Sequence, residues 1–352
     1  MPRQIRIACA SACYPNTRAE VQLKLTVRPG TVAFCFFCSS VLGAGVSQKP
    51  ETVAAQRQRE SREYNESNRE VVEQAWSNII AVADKSDADK LRRVKIVYST
   101  DETPLRFEAD AGEQPILLVT TGGLRLSNVI LEGYALLAGG YKDEEWFFQY
   151  MLYLRQQHLK HRYFHTATTA AGFTSKEQIK ALNATYHWFY LTARQTTFFF
   201  ALAHEAAHLL RNDVVEQADK ESTHAFELRM REQEIRADRF AADLMVKHGQ
   251  FVAGFTSLLV STMLIYEPRE SVSDATLHVP DRERLRAIAG WVRDAIANDS
   301  KVKEPDRSMM NAGLNSMLQV TEPLLYQVTL SFRDARLQHP IFDRLKLPES
   351  AK

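Results

Sequence analysis

Apolar residues recur at helical spacing along most of this chain. Val71, Val72, Ala75, Trp76, Ile79, Ile80 and Ala83 share one face of an amphipathic helix, behind a lead-in rich in Arg, Glu, Gln and Asn. The pattern then changes. Residues 94–99 (VKIVYS) form a β-rich run, 104–109 (PLRFEA) alternate, and 115–121 (PILLVTT) form a third run closed by Gly122-Gly123. Three short strands in succession predict a small sheet. From 124 onward the spacing is helical again over 124–140, 144–164, 175–191, 192–210, 223–249, 251–266 and 281–297. Residues 301–352 read as one or two final helices with a polar end. The stretch 251–266 is apolar but shorter than a membrane span requires, and it carries Ser, Thr and Gly, so it reads as a buried helix. The expected fold is α+β and mainly α-helical. The expected organisation is a signal-peptide-like or disordered segment at 1–50, a helical segment at 51–90, a main domain at 91–299 and a helical extension at 300–352.

Composition narrows the function classes. The chain has 352 residues and is 45% hydrophobic, enough to bury a sizeable core. Lys and Arg total 44 against 43 Asp and Glu, so no global charge excess points to nucleic acid. Neither a fixed-period repeat nor a glycine-rich phosphate loop with its lysine nor a GxSxG element occurs.

All four cysteines, Cys9, Cys13, Cys35 and Cys38, lie in the first 38 residues. A disulfide framework would spread them through the folded body. A CxxxC and CxxC pair is a conceivable zinc or redox site, but Cys35 and Cys38 sit inside the apolar run Thr31–Val46, poor surroundings for thiolates. Charged lead, apolar stretch, small residues and polar start follow the order of a secretory signal, with cleavage expected near Ala44–Ser47. The expectation is an exported protein without a transmembrane span in its mature form. The long lead from Met1 to Gly30 keeps a cytoplasmic location as the alternative.

Candidate chemistry is concentrated in one segment. His204-Glu205-Ala206-Ala207-His208 is an HExxH sequence within a helical, Phe-, Leu- and Ala-rich stretch. Residues four apart on a helix share a face, so both imidazoles can reach one zinc ion. Glu205 then lies beside the metal as a general base. Random placement of ten histidines would produce this pattern on the order of a few hundredths of a time in such a chain. A catalytic zinc takes a third protein ligand and leaves a position for water. Glu234 and Asp238, also four apart on a helical segment, supply candidates: Glu234 as ligand, and Asp238 as the acceptor that orients a ligating histidine.

HExxH followed by Glu234-Ile-Arg-Ala-Asp238 resembles the gluzincin metallopeptidases, most of all the type of the CAAX prenyl proteases and the HtpX heat-shock proteases. Residues 278–284, His278-Val-Pro-Asp-Arg-Glu-Arg284, resemble that type's His-Pro-x4-Arg element. The resemblance implies a zincin-type domain with its sheet beside the HExxH helix, and one zinc held by His204, His208 and Glu234. It further implies His278 and Arg284 as substrate or transition-state contacts. Glu108-Ala109 resembles that type's Asn-Ala strand, which implies a peptide substrate bound along a strand edge. Departures are Ala207 in place of the usual Gly, Glu108 in place of Asn, the displaced Pro280, and a longer stretch at 124–195. The same motifs resemble the ImmA/IrrE-type and Lit-type peptidases, with the same zinc chemistry but other substrates and compartments. All of these imply a zinc endopeptidase acting on protein or peptide. The alternative from another class is a non-catalytic, zinc-stabilised regulatory or interaction module, in which Glu205 has no task.

Three further groups carry candidate side chains. His158, His161 and His165 stand among Gln, Lys and Arg and read as a solvated face rather than a second metal site. His339 and Arg344 form a rival His-Pro element with an offset one residue short. Tyr186, His187 and Tyr190 precede the HExxH helix and could stabilise an oxyanion, with aromatic core packing as the default.

Overall fold

The computed structural model describes residues 52–102, 107–159, 165–213, 221–249, 281–298, 300, 303–304 and 306–333. The described residues from 57 onward form one compact unit. The described elements are α1 (Val53–Val82), α2 (Lys85–Leu91), β1 (Lys95–Ser99), β2 (Phe107–Asp110), β3 (Ile116–Thr120), α3 (Thr121–Ala138) and α4 (Glu144–Leu159). They continue with α5 (Ala167–Ala170), α6 (Lys176–Lys180), α7 (Ala184–Arg211), α8 (Thr223–Lys247), α9 (Asp281–Asn298) and α10 (Asp306–Arg333). The protein is thus mainly helical with one small sheet, as the hydrophobic pattern predicts. The cysteines, the helix expected at 251–266, His161, His278, His339 and Arg344 lie outside the described residues.

The sheet has order β1-β3-β2, with β1 parallel and β2 antiparallel to the central β3. Register sets Ile96 and Ala109 beside Leu117, and Tyr98 and Phe107 beside Val119. Successive side chains alternate between faces, so these six share the face turned to the core. Phe107 meets Phe198 of α7 edge to face, with ring centroids 6.1 Å apart.

Helix α7 is buried nearly all round over its second half. Phe198, Phe199, Phe200, Leu202, Ala203, Ala206 and Ala207 are all core residues, which marks the central helix of a packed domain. Two separate helices were expected at 175–191 and 192–210. The boundary instead falls at Asn183, between the short α6 and a single continuous α7. Asn183 accepts from the Tyr186 N–H as N-cap and donates its amide to the Gly139 carbonyl, 2.9 Å away. Ser175 and Gln178 close a capping box at the start of α6.

A second difference concerns Gly122-Gly123, expected to end a strand. They form the first turn of α3, where Thr120 accepts from the Gly123 N–H at 3.0 Å. Further along α3, Gly133 faces Phe147. A Cβ placed there would lie 2.7 Å from Cε2 of that ring.

Helix α1 joins the core in two ways. Val72, Ala75, Trp76 and Ile79 pack as the apolar spacing predicts. One to three turns earlier the contacts are polar. Asn65 donates to the Ser99 carbonyl and accepts from Thr121, while Asn68 accepts from both Asn128 and Arg194. At the other end of the chain, Leu314 of α10 belongs to the same core, and Thr321 pairs with the Tyr134 hydroxyl at 3.2 Å.

Candidate metal centre

Two helices supply the site. His204 and His208 leave α7 one turn apart, with Nε2 atoms separated by 3.2 Å. Glu234 comes from α8, placing one carboxylate oxygen 3.3 Å from His204 Nε2 and the other 3.5 Å from His208 Nε2. One ligand atom from each of the three lies within 4.8 Å of the others, a grouping that could hold a metal ion. Helical spacing turns the two histidines to one side, and the packing of α8 on α7 brings Glu234 to them. His204 and Glu234 are each only 6% exposed, so this is an interior cluster and not a chance surface grouping.

Asp238 lies one turn beyond Glu234. It accepts from His204 Nδ1 at 2.9 Å, the orienting contact expected for it. Its own charge is balanced by Arg284 of α9, which donates through Nε and a terminal nitrogen, the latter at 2.7 Å. The same guanidinium stands 3.5 Å from Glu234. The structure therefore places Arg284 on both Glu234 and Asp238 of α8.

The sequence reading missed Asp213, whose carboxylate takes the Nδ1 of His208 at 2.9 Å. The available signal was its position just past the helix, five residues after His208. Using it requires the path of the chain there, which turns through the left-handed region at Asn212.

Glu205 stands beside the ligand trio. It is half-buried, and its carboxylate accepts from the Ala109 N–H of the edge strand β2. Burial, together with Glu234 and Glu108, raises it to about 7 against the opposing pull of His204 and Ala109. For His204, burial favours the neutral ring, but Glu234 and Asp238 outweigh it and raise the group to about 10. His208 moves the other way, lowered by burial and by the neighbouring His204. Asp238 is lowered because Arg284 and His204 overcome its burial. Glu234 and Asp238 thus favour positive charge at the point the three side chains share. Two imidazoles and a carboxylate, each ring steadied by a further carboxylate, fit a divalent metal in both charge and donor type.

The other candidates lie elsewhere. Tyr186 is buried and stacks on Tyr190, with centroids 6.3 Å apart, and packs edge-on to His187. Both tyrosines sit within electrostatic reach of Glu132, not of the ligand trio. His165 stacks on Tyr153, and its carbonyl accepts from the Tyr150 hydroxyl at 2.7 Å. Among the described residues no other His, Cys, Asp and Glu cluster could hold a metal, and no helix is long and apolar enough to cross a membrane.

No protein-family model, no curated protein and no solved structure matches this chain. Fold and cluster together define a mainly helical α+β protein with a buried two-histidine, one-carboxylate site suited to a metal ion.

Proposed function

We propose that this chain is a zinc-dependent endopeptidase that hydrolyses peptide bonds of protein substrates, with one zinc held by His204, His208 and Glu234. The observation that carries the reading is the placement of Glu205. It lies between the two histidines in sequence and outside the ligand trio in space, tied to a strand edge through Ala109. A structural site has no use for such a base.

Bound zinc supplies Lewis acidity, which lowers the pKa of water and polarises a carbonyl. Glu205 takes the proton of the attacking water and passes it to the leaving nitrogen. The Ala109 N–H fixes the carboxylate in position for both transfers. Asp238 keeps His204 oriented, and Arg284 keeps Asp238 ionised and in place. In this reading an extended peptide runs along β2, an edge strand among the described residues, beside Glu205. His278 and Arg284 as stabilisers of the tetrahedral intermediate belong to the same proposal, as does the exported location.

The test is metal content and cleavage of a denatured protein substrate by wild type, Glu205→Gln and Glu234→Ala. One zinc per wild-type chain is expected, with strong loss in Glu234→Ala. Glu205→Gln is expected to keep its zinc and lose cleavage by about 10²–10⁴-fold. Full activity in Glu205→Gln would exclude it as the base. Stoichiometric zinc with no cleavage by wild type would favour the non-catalytic module.

A further inference from the structure

The two histidines of the site are held differently. His204 is oriented by Asp238, four residues after Glu234 on the same helix, with Arg284 clamped on the far side. His208 is oriented by Asp213, which lies on no helix. Its side chain is 7% exposed. Its place is set by the end of α7, where Asn212 adopts φ 50 and ψ 48 as C-cap. That left-handed turn folds the chain back on itself, and the Asp213 N–H donates to the His208 carbonyl at 3.1 Å. The carboxylate of Asp213 consequently reaches the Nδ1 of the same histidine whose carbonyl its backbone caps. Asn tolerates the left-handed region better than other non-glycine residues. The cations facing Asp213 from α8 are Arg236, at 3.6 Å with a half-exposed side chain, and, through electrostatics alone, Arg229. Asp238, by contrast, is gripped by two nitrogens of a buried Arg284.

We infer that Asp213 is a second positioning residue of the metal centre: it holds the proton of His208 on Nδ1 and so turns the Nε2 lone pair toward the point shared with His204 and Glu234. The inference rests on the metal-site reading for its consequence but not for its geometry. Nδ1 lies 2.9 Å from a carboxylate that only accepts. Nε2 of the same ring faces His204 and Glu234. A neutral ring carries one proton, and Asp213 determines which nitrogen keeps it. Removal of the carboxylate leaves the ring free to turn and to exchange tautomers, and the ion loses one of its pre-set donors.

The experiment uses the full chain as wild type, Asp213→Asn and Asp213→Ala. In the metal-free protein, nitrogen-15 shifts of the His208 ring report the tautomer. Wild type is expected to show the Nδ1–H form, Asp213→Asn to retain it through the amide oxygen, and Asp213→Ala to show Nε2–H or a mixture. Zinc affinity, read by competition with a chromophoric chelator, is expected to fall about 10–100-fold in Asp213→Ala and substantially less in Asp213→Asn. An unchanged His208 tautomer in a folded Asp213→Ala overturns the inference, as does zinc affinity within twofold of wild type. If wild type binds no zinc while the tautomer depends on Asp213, the positioning role stands and the peptidase reading falls.

Discussion

Glu132 → Gln should remove a pH-dependent weakness from the fold. Glu132 lies on α3 at intermediate exposure, where the backbone and hydroxyl of Thr168 donate to its carboxylate at 3.3 Å. The residues around it, namely Tyr150 from α4, Tyr186 and Tyr190 from α7 and Tyr64 from α1, bring rings and hydroxyls but no opposing charge of their own. Burial outweighs the donors from Thr168 and Ala167 and raises the carboxyl from 4.5 to about 7. At ~1.4 kcal/mol per pH unit this is about 3 kcal/mol, nearer ~2 once solvent at the rim of the site is allowed for. The sign follows from which state holds the proton more tightly. The folded chain keeps it to higher pH, so the contribution is fully present below about 4.5 and is lost as pH rises through about 7. Urea unfolding of wild type and Glu132→Gln at pH 5 and pH 8, in the same metal state, isolates this group, because all other titrations cancel in the double difference. The variant should gain on wild type by roughly 2 kcal/mol between the two pH values. An equal difference at both, or a gain for wild type at pH 8, refutes the argument.

Two further substitutions test the packing around the site. Gly133→Ala adds a methyl 2.7 Å from the Phe147 ring, which is 1% exposed and packs on Tyr134 with ring centroids 4.5 Å apart. A loss of about 1–2 kcal/mol is expected in urea unfolding despite the better helix propensity of Ala, and a gain would mean that the ring moves freely. Arg284→Met leaves the 1% exposed Asp238 without its bidentate partner, for an expected loss of about 3–5 kcal/mol in the metal-free protein. A loss below about 1 kcal/mol would show that the guanidinium is not what holds Asp238 in place.

What the sequence disclosed about the site was local. His204 with His208, and Glu234 with Asp238, are pairs four apart on a helix, and helical geometry alone turns each pair to one side. The sheet was legible from alternation, as in Phe107 and Ala109, whose shared face follows from period two. The parts that escaped depend on distant or irregular backbone. The bond of Asp213 to His208 needs the left-handed residue at 212. Arg284 finds Asp238 across 46 residues and through the packing of α9 on α8. The break at Asn183 follows from a cap whose side chain is also engaged with Gly139, in a different helix–loop junction. Glu132 carried no signal at all, because an acidic residue in an amphipathic helix looks solvated until its aromatic neighbours arrive from three other helices.

The chain distance between the parts of the site has a consequence for how the protein is made. His204, His208, Asp213, Glu234 and Asp238 all lie within a sequence separation of 34, on two successive helices and, for Asp213, just past the end of the first. Closing so short a loop carries a small entropic cost, and a helical hairpin is among the quicker structures to form. The Ala109 N–H that steadies Glu205 and the Arg284 clamp arrive only when the sheet and α9 are docked. Under the proposed function, capture of an ion and readiness to use it are then separate events in folding. In that reading, a nascent or partly folded chain gathers the donors of α7 and α8 before it has a poised base.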